Sequence, residues 1–178
     1  MNIVLQSILG SAVDVTAAAM GWIVVPSDGG LQVVAAVGAG DVVGTTVASA
    51  AGTAAYVLAS GQPVAMAVRP DDPNVHEGVA ALVGVQPASV LCVPCADDDE
   101  VLGVLELGDK AGGAFTFDDV ELVTVLANIA GAALRGDASI GQVRSPEALF
   151  ADLRQLAGTD PTAYIGVATV LEALLARG

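Results

Sequence analysis

The stretch SVLCVPCADDDEVLGVLELGDK, residues 89–110, leaves this chain little freedom. Two runs rich in Val and Leu flank four acidic residues, Asp97 to Glu100. Apolar runs of this length with branched side chains predict strands over 89–96 and 101–107. A connection this short returns the chain antiparallel, because a parallel partner needs a crossover of a dozen or more residues. The acidic turn reads as a solvated hairpin end that also discourages edge-to-edge association.

The flanking sequence extends this sheet. MGWIVVPS and LQVVAAVG surround SDGG, in which Asp-Gly tolerates positive φ, so residues 20–38 read as a second hairpin. QPVAMAV reads as a further short strand. Helices are expected at residues 2–16, with apolar Ile3, Val4, Ile8, Ala12 and Val15, and over SAAGTAAYVLAS, ended by Gly61. One or two helical turns fit VHEGVAALVG. The clearest helix is 116–135: Thr116 with Asp119 forms a capping-box pattern, Asp118 and Asp119 suit the positive end of the dipole, and Gly136 stops it. Its apolar stripe reads as Leu122, Leu126, Ile129 and Ala133, widened by Val123, Val125 and Ala130. That width exceeds one sheet face and is shared between tight core packing and a subunit contact.

This order predicts an α+β domain: an antiparallel sheet of about six strands, with the first and last helices on one face and the loops and middle helices over the other. The domain is expected to span 1–136, followed by a linker, 137–145, and a helical hairpin, 146–178. Ser145-Pro146 and Asp160-Pro161 each place proline just after an N-cap residue.

Composition narrows the partners. A net charge of −14, with one lysine in the chain, repels phosphate backbones and anionic lipid, so neither nucleic acid nor a membrane surface is an expected partner. The start, MNIVLQSILG, lacks a basic n-region, and the uncharged stretch 42–68 is interrupted by glycines and Pro63. A cytoplasmic protein is expected, where two cysteines stay reduced.

The strand SVLCVPC, the Gly-containing strand EVLGVLELGDK and the helix start FTFDDVELV, in that order after LQVVAAVG and ASGQPV, resemble a GAF domain over residues 3–135. The pattern is most similar to the regulatory GAF domains of cyclic-nucleotide phosphodiesterases, which carry Asn-Lys, a later Phe and then Asp-Glu. Here Asp109-Lys110 and Phe117-Asp118-Asp119 stand at those places, with Asp109 for Asn and Asp119 for Glu. The resemblance implies that this constellation ties a loop to the helix start, through a pair of Lys110 with Asp118.

The resemblance also implies a small-molecule pocket between the sheet and segment 44–81. Its small residues leave room beside a sheet and let backbone amides approach a ligand. Trp22, Tyr56, Met66, His76 and Cys92 are the candidate lining groups. His76 lies in a loop that borders the pocket in such domains; it contacts a ligand there, ligates haem as in some sensory relatives, or is a solvated loop residue.

Other chemistries are weakly supported. A structural zinc site needs four ligands, and the chain offers two cysteines and one histidine. Strand alternation sends Cys92 and Cys95 to opposite faces, whereas redox Cys-x-x-Cys pairs open a helix. No metal or other cofactor is expected, and no catalytic residue is assigned. Three functions follow: a sensory module that binds a nucleotide-like or other small molecule and signals through its terminal helices as a homodimer; a scaffold that only dimerises and binds a protein; or an enzyme of the GAF type that reduces methionine sulfoxide.

Overall fold

The computed structural model describes residues 2–48, 52–69 and 79–141, together with the helical residues 154–155, 157–159, 161 and 164–165. The chain divides into two units, Met1–Ala138 and Ser139–Gly178. Most of the hairpin expected over 146–178, and residues 142–145 of the linker before it, lie outside the described residues.

Asn2 begins the first helix, α1 (Ile3–Thr16): its side-chain oxygen accepts from the N–H groups of Val4 at 2.9 Å and Leu5 at 3.2 Å. Two donors that helix geometry leaves orphaned are satisfied this way. Ala17 then turns left-handed and releases the chain into β1 (Ala18–Ser27). The turn at Asp28-Gly29 brings back β2 (Gly30–Val37). A two-residue strand follows, β3 (Thr46–Val47), then α2 (Thr53–Ser60), which stops at left-handed Gly61. β4 (Val64–Ala67) and the single turn α3 (Val79–Leu82) precede the long hairpin β5 (Ser89–Asp97) and β6 (Glu100–Lys110). The long helix α4 starts at Phe117 and runs to Gly141.

The six strands form one sheet in the order β3-β2-β1-β6-β5-β4, with every pairing antiparallel. The first and last long strands, β1 and β6, meet in the middle, with Trp22 opposite Glu106. Side-chain alternation divides the core between two faces. On the first face Ile23, Leu91, Val93, Cys95, Leu105 and Leu107 pack against Leu5, Leu9 and Ala12 of α1 and Val123, Ala127 and Ala130 of α4. On the second, Trp22, Val24, Val90, Cys92 and Val104 pack under Val57 of α2, Val79 of α3, and Ala39 and Val42 of the loop after β2. Each fully buried aliphatic side chain stabilises the fold by about 1.5–3 kcal/mol, so both faces contribute.

Three local expectations change. Gly136 does not stop α4; the helix passes through it to Gly141, into the segment expected as linker. The buried stripe of α4 is Val123, Ala127 and Ala130, whereas Leu122, Val125 and Ile129 are exposed. Likewise Ile3, Val4 and Val15 of α1 face outward, and Leu5, Leu9 and Val13 face the sheet. For the facing of α4 the reason lies in its close approach to the sheet. Gly131 lies so near the backbone of Ala96 that an added Cβ would stand 2.2 Å from its carbonyl oxygen. Ala96 sits at a bulge in β5, where the register with β6 shifts. The missing side chain sets which way the helix faces.

Candidate functional site

An apolar cleft opens between α2 and β4 on the second face. It is lined by Gly52, Thr53, Tyr56, Val64 and Met66 and encloses about 290 Å³. The period-two alternation of β4 turns Val64 and Met66 toward the core and Ala65 and Ala67 outward. Tyr56 stands at the mouth and is 58% exposed.

One row of side chains crosses the sheet from this cleft. Strand register places Val64 opposite Cys92, Cys92 opposite Glu106, Glu106 opposite Trp22, and Trp22 opposite Ala36. Glu106 is 9% exposed, and Cys92 and Trp22 are sealed at 0% and 1%. The Cys92 thiol donates to Glu106 Oε2 at 3.1 Å. Burial pushes the Glu106 carboxyl up from 4.5 to about 7, against the opposing effect of hydrogen bonds from Cys92 and Trp22. The same burial, with the neighbouring carboxylate, raises the Cys92 thiol well above its ordinary value. Cys95 lies on the first face, and burial pushes it up to about 12. Neither thiol is a ready nucleophile, because the thiolate is the reactive form.

A second polar cluster joins β6 to α4. Asp119 is the N3 residue of a capping box: its Oδ2 accepts from the Thr116 N–H at 2.6 Å and hydroxyl at 2.8 Å, and its own N–H donates to Thr116 Oγ1 at 3.3 Å. Lys110 Nζ binds the same oxygen. Partial burial raises the Asp119 carboxyl, but the donors from Lys110 and Thr116 outweigh it and hold the group below 3.8. The partner of Lys110 is therefore Asp119 and not Asp118, which is exposed. An N3 carboxylate turns back over the helix start, whereas its predecessor projects into solvent. Asp109, in a left-handed conformation with φ 56°, accepts from the Ala88 N–H at 2.5 Å. Phe117 is 73% exposed and takes no part in the tie.

The sequence candidates thus separate. Trp22 and Cys92 share the buried row, Tyr56 and Met66 line the cleft, and Asp109, Lys110 and Asp119 form the loop-to-helix tie. His76 lies outside the described residues. Glu106 escaped the sequence reading, although a signal was present. In VLGVLELGDK its parity matches that of Val104, on the face alternate to Leu105 and Leu107, so a carboxylate was due to point into the second core. Among the described residues no group of three His, Cys, Asp or Glu side chains is placed to hold a metal ion. Two of the acids in the β5–β6 turn, Asp97 and Glu100, instead pair with Arg135. No described helix is long and apolar enough to cross a membrane.

No curated protein matches the chain. Among solved structures it is similar to the GAF-B domain of DevS from Mycobacterium smegmatis, at 22% identity and TM-score 0.61, covering 79% of this chain and 97% of that one. It is also similar to the GAF domain of a phosphoenolpyruvate-protein phosphotransferase from Coxiella burnetii, at 18% identity and TM-score 0.67, covering 78% and 84%. A third is the GAF domain of a two-component sensor histidine kinase from Bacillus halodurans, at 16% identity and TM-score 0.61, covering 77% and 97%. These likenesses establish the shared fold, and the GAF domain family itself matches residues 1–135. With the sheet order, the two helix-covered faces and that match together, the chain belongs to the GAF domain family.

Proposed function

We propose that this chain is a sensory or regulatory module that binds a small molecule on the second sheet face and transmits the change through α1 and α4. The observation that carries this reading is the cleft between α2 and β4, which lies on the face opposite those helices. A ligand there contacts β4 and α2 directly, and the same sheet supports both terminal helices from behind. Such coupling requires the ligand to bind two arrangements of the helices with different affinity. The reading also places the chain in the cytoplasm, consistent with two free cysteines, and treats the unit Ser139–Gly178 as an extension that meets a partner.

We further propose that the module acts as a homodimer. Leu122, Val125 and Ile129 of α4 are exposed at 44%, 59% and 50%. Their spacing of three and four residues makes one stripe along the helix. The same stripe favours the second reading, a scaffold that dimerises without a ligand. The enzyme reading draws no support from the thiols, which are buried on opposite faces.

A thermal-shift panel of nucleotides, amino acids and small organic acids and bases separates the readings. A specific ligand raises the melting temperature with concentration, by about 2.7 kcal/mol of added stability at one hundred times its Kd. Tyr56→Ala, at the cleft mouth, is expected to abolish the shift. A panel without any concentration-dependent shift favours the scaffold.

A further inference from the structure

The cleft between α2 and β4 is made from side chains that the rest of the molecule uses sparingly. Aromatic residues are 3% of the chain, and both cores consist mainly of Val, Leu, Ile and Ala. The sequence holds two tyrosines and three methionines, and Tyr56 and Met66 both line this one cleft. Tyr56 does not fill the core. Its neighbour Val57 does that at 0% exposure, while the Tyr56 ring stands 58% exposed at the mouth. An aromatic ring held there offers a face on which a second ring can stack or meet edge to face. Met66 brings a polarisable thioether, which also makes favourable contacts with aromatic rings. Alternation along β4 sets Val64 on the same side as Met66, and Gly52 at the start of α2 carries no side chain. The volume of about 290 Å³ lies near the low end for ligand clefts, roughly 300–1,000 Å³, and suits a molecule of one or two rings. Thr53 and Tyr56 add hydroxyls that can donate or accept. The net charge of −14 surrounds the domain with a field that disfavours an anion.

We propose, deepening the small-molecule reading above and resting on it, that this cleft takes a flat, uncharged aromatic molecule of one or two rings bearing a hydroxyl or amide. Its ring lies between Tyr56 and the Met66 sulfur, with Val64 beneath, and its polar substituent pairs with the Thr53 hydroxyl. Recognition then depends on the ring being aromatic and not only on its being apolar.

The methionines make the test local. Labelling the methionine methyl groups of the full chain gives signals from Met1, Met20 and Met66, and Met66→Leu identifies the third by its loss. Met20, opposite Gly108 in the middle of the sheet, is the internal reference. The chain is titrated with naphthol and with decahydronaphthol, which share two rings and a hydroxyl and differ in aromaticity. Naphthol is expected to shift the Met66 methyl saturably, leaving Met20 in place, and to bind at least about threefold more tightly than its saturated counterpart. Tyr56→Leu, an exposed substitution that keeps an apolar side chain, is expected to erase that preference and to leave decahydronaphthol binding within about twofold. Equal binding of the two alcohols, unchanged in Tyr56→Leu, overturns the aromatic class and leaves a small-molecule cleft standing. A Met66 methyl that neither alcohol moves overturns it as well. The thermal-shift panel, which includes molecules without rings, then reads the small-molecule function on its own.

Discussion

Burial of Glu106 makes the stability of the fold depend on pH. The folded carboxyl titrates near 7 and the unfolded one near 4.5. Between these values the folded chain holds a proton that the unfolded chain has released. Stability therefore falls as pH rises through this window, by up to about 3 kcal/mol, and levels off above it. Urea midpoints measured from pH 5 to pH 8 are expected to decline for the parent and to lose most of that decline in Glu106→Gln. Asp119 acts in the opposite sense. Its folded pKa is lowered, so its contribution is present above 3.8 and is lost as pH falls through the folded value, outside the Glu106 window. The thiols give a second check. With both cysteines buried and their pKa values raised, neither is expected to react with a disulfide reagent at pH 7.5 until the protein is unfolded. Fast reaction of Cys92 in the folded state would contradict the sealed row. Alternation along SVLCVPC was enough to send Cys92 and Cys95 to opposite faces, because that depends on one strand alone. The Trp22–Glu106–Cys92 row also depends on how β1 registers on β6, and local sequence does not encode a pairing between strands so far apart in the chain.

Elements were more legible than the contacts between them. Asp-Gly and Gly61 marked a turn and a helix end, and Thr116 with Asp119 marked the start of α4, because each is a local backbone requirement. The end of α4 was misread, since one glycine at Gly136 costs about 1 kcal/mol relative to alanine, too little to break a long helix. β3 has two residues and no pattern of its own; it exists because β2 offers an edge. The buried stripe of α4 was misassigned because hydrophobic residues surround this helix, and its rotation is set by contacts with the sheet, at Gly131 and near the helix start. Asp119 provides one such contact. Asp119→Ala removes the cap and the partner of Lys110 together and is expected to cost about 1–3 kcal/mol in urea denaturation. Asp118→Ala, one residue earlier and exposed, is expected to change stability by less than about 0.5 kcal/mol. Equal effects would place the ion pair on the wrong acid.

At the scale of the whole molecule, the exposed apolar residues of α1 and α4 predict self-association. Ile129→Asp places a charge in the middle of the α4 stripe, away from the buried side chains Val123, Ala127 and Ala130. Sedimentation is expected to show a dimer for the parent and a monomer for this variant, with the melting curve of the monomer kept cooperative. A parent that sediments as a monomer at every concentration would remove the dimer proposal. The crossing of Gly131 over Ala96 bears on how such a dimer would respond. Near its start α4 is tethered to β6 through Lys110, and further along it rests on β5 with Arg135 gripping Asp97. Both attachments belong to the same two-stranded ribbon. Fastened at two places to one ribbon, α4 is expected to follow any change in the twist of β5–β6, and the outer surface that carries Leu122, Val125 and Ile129 would move with it.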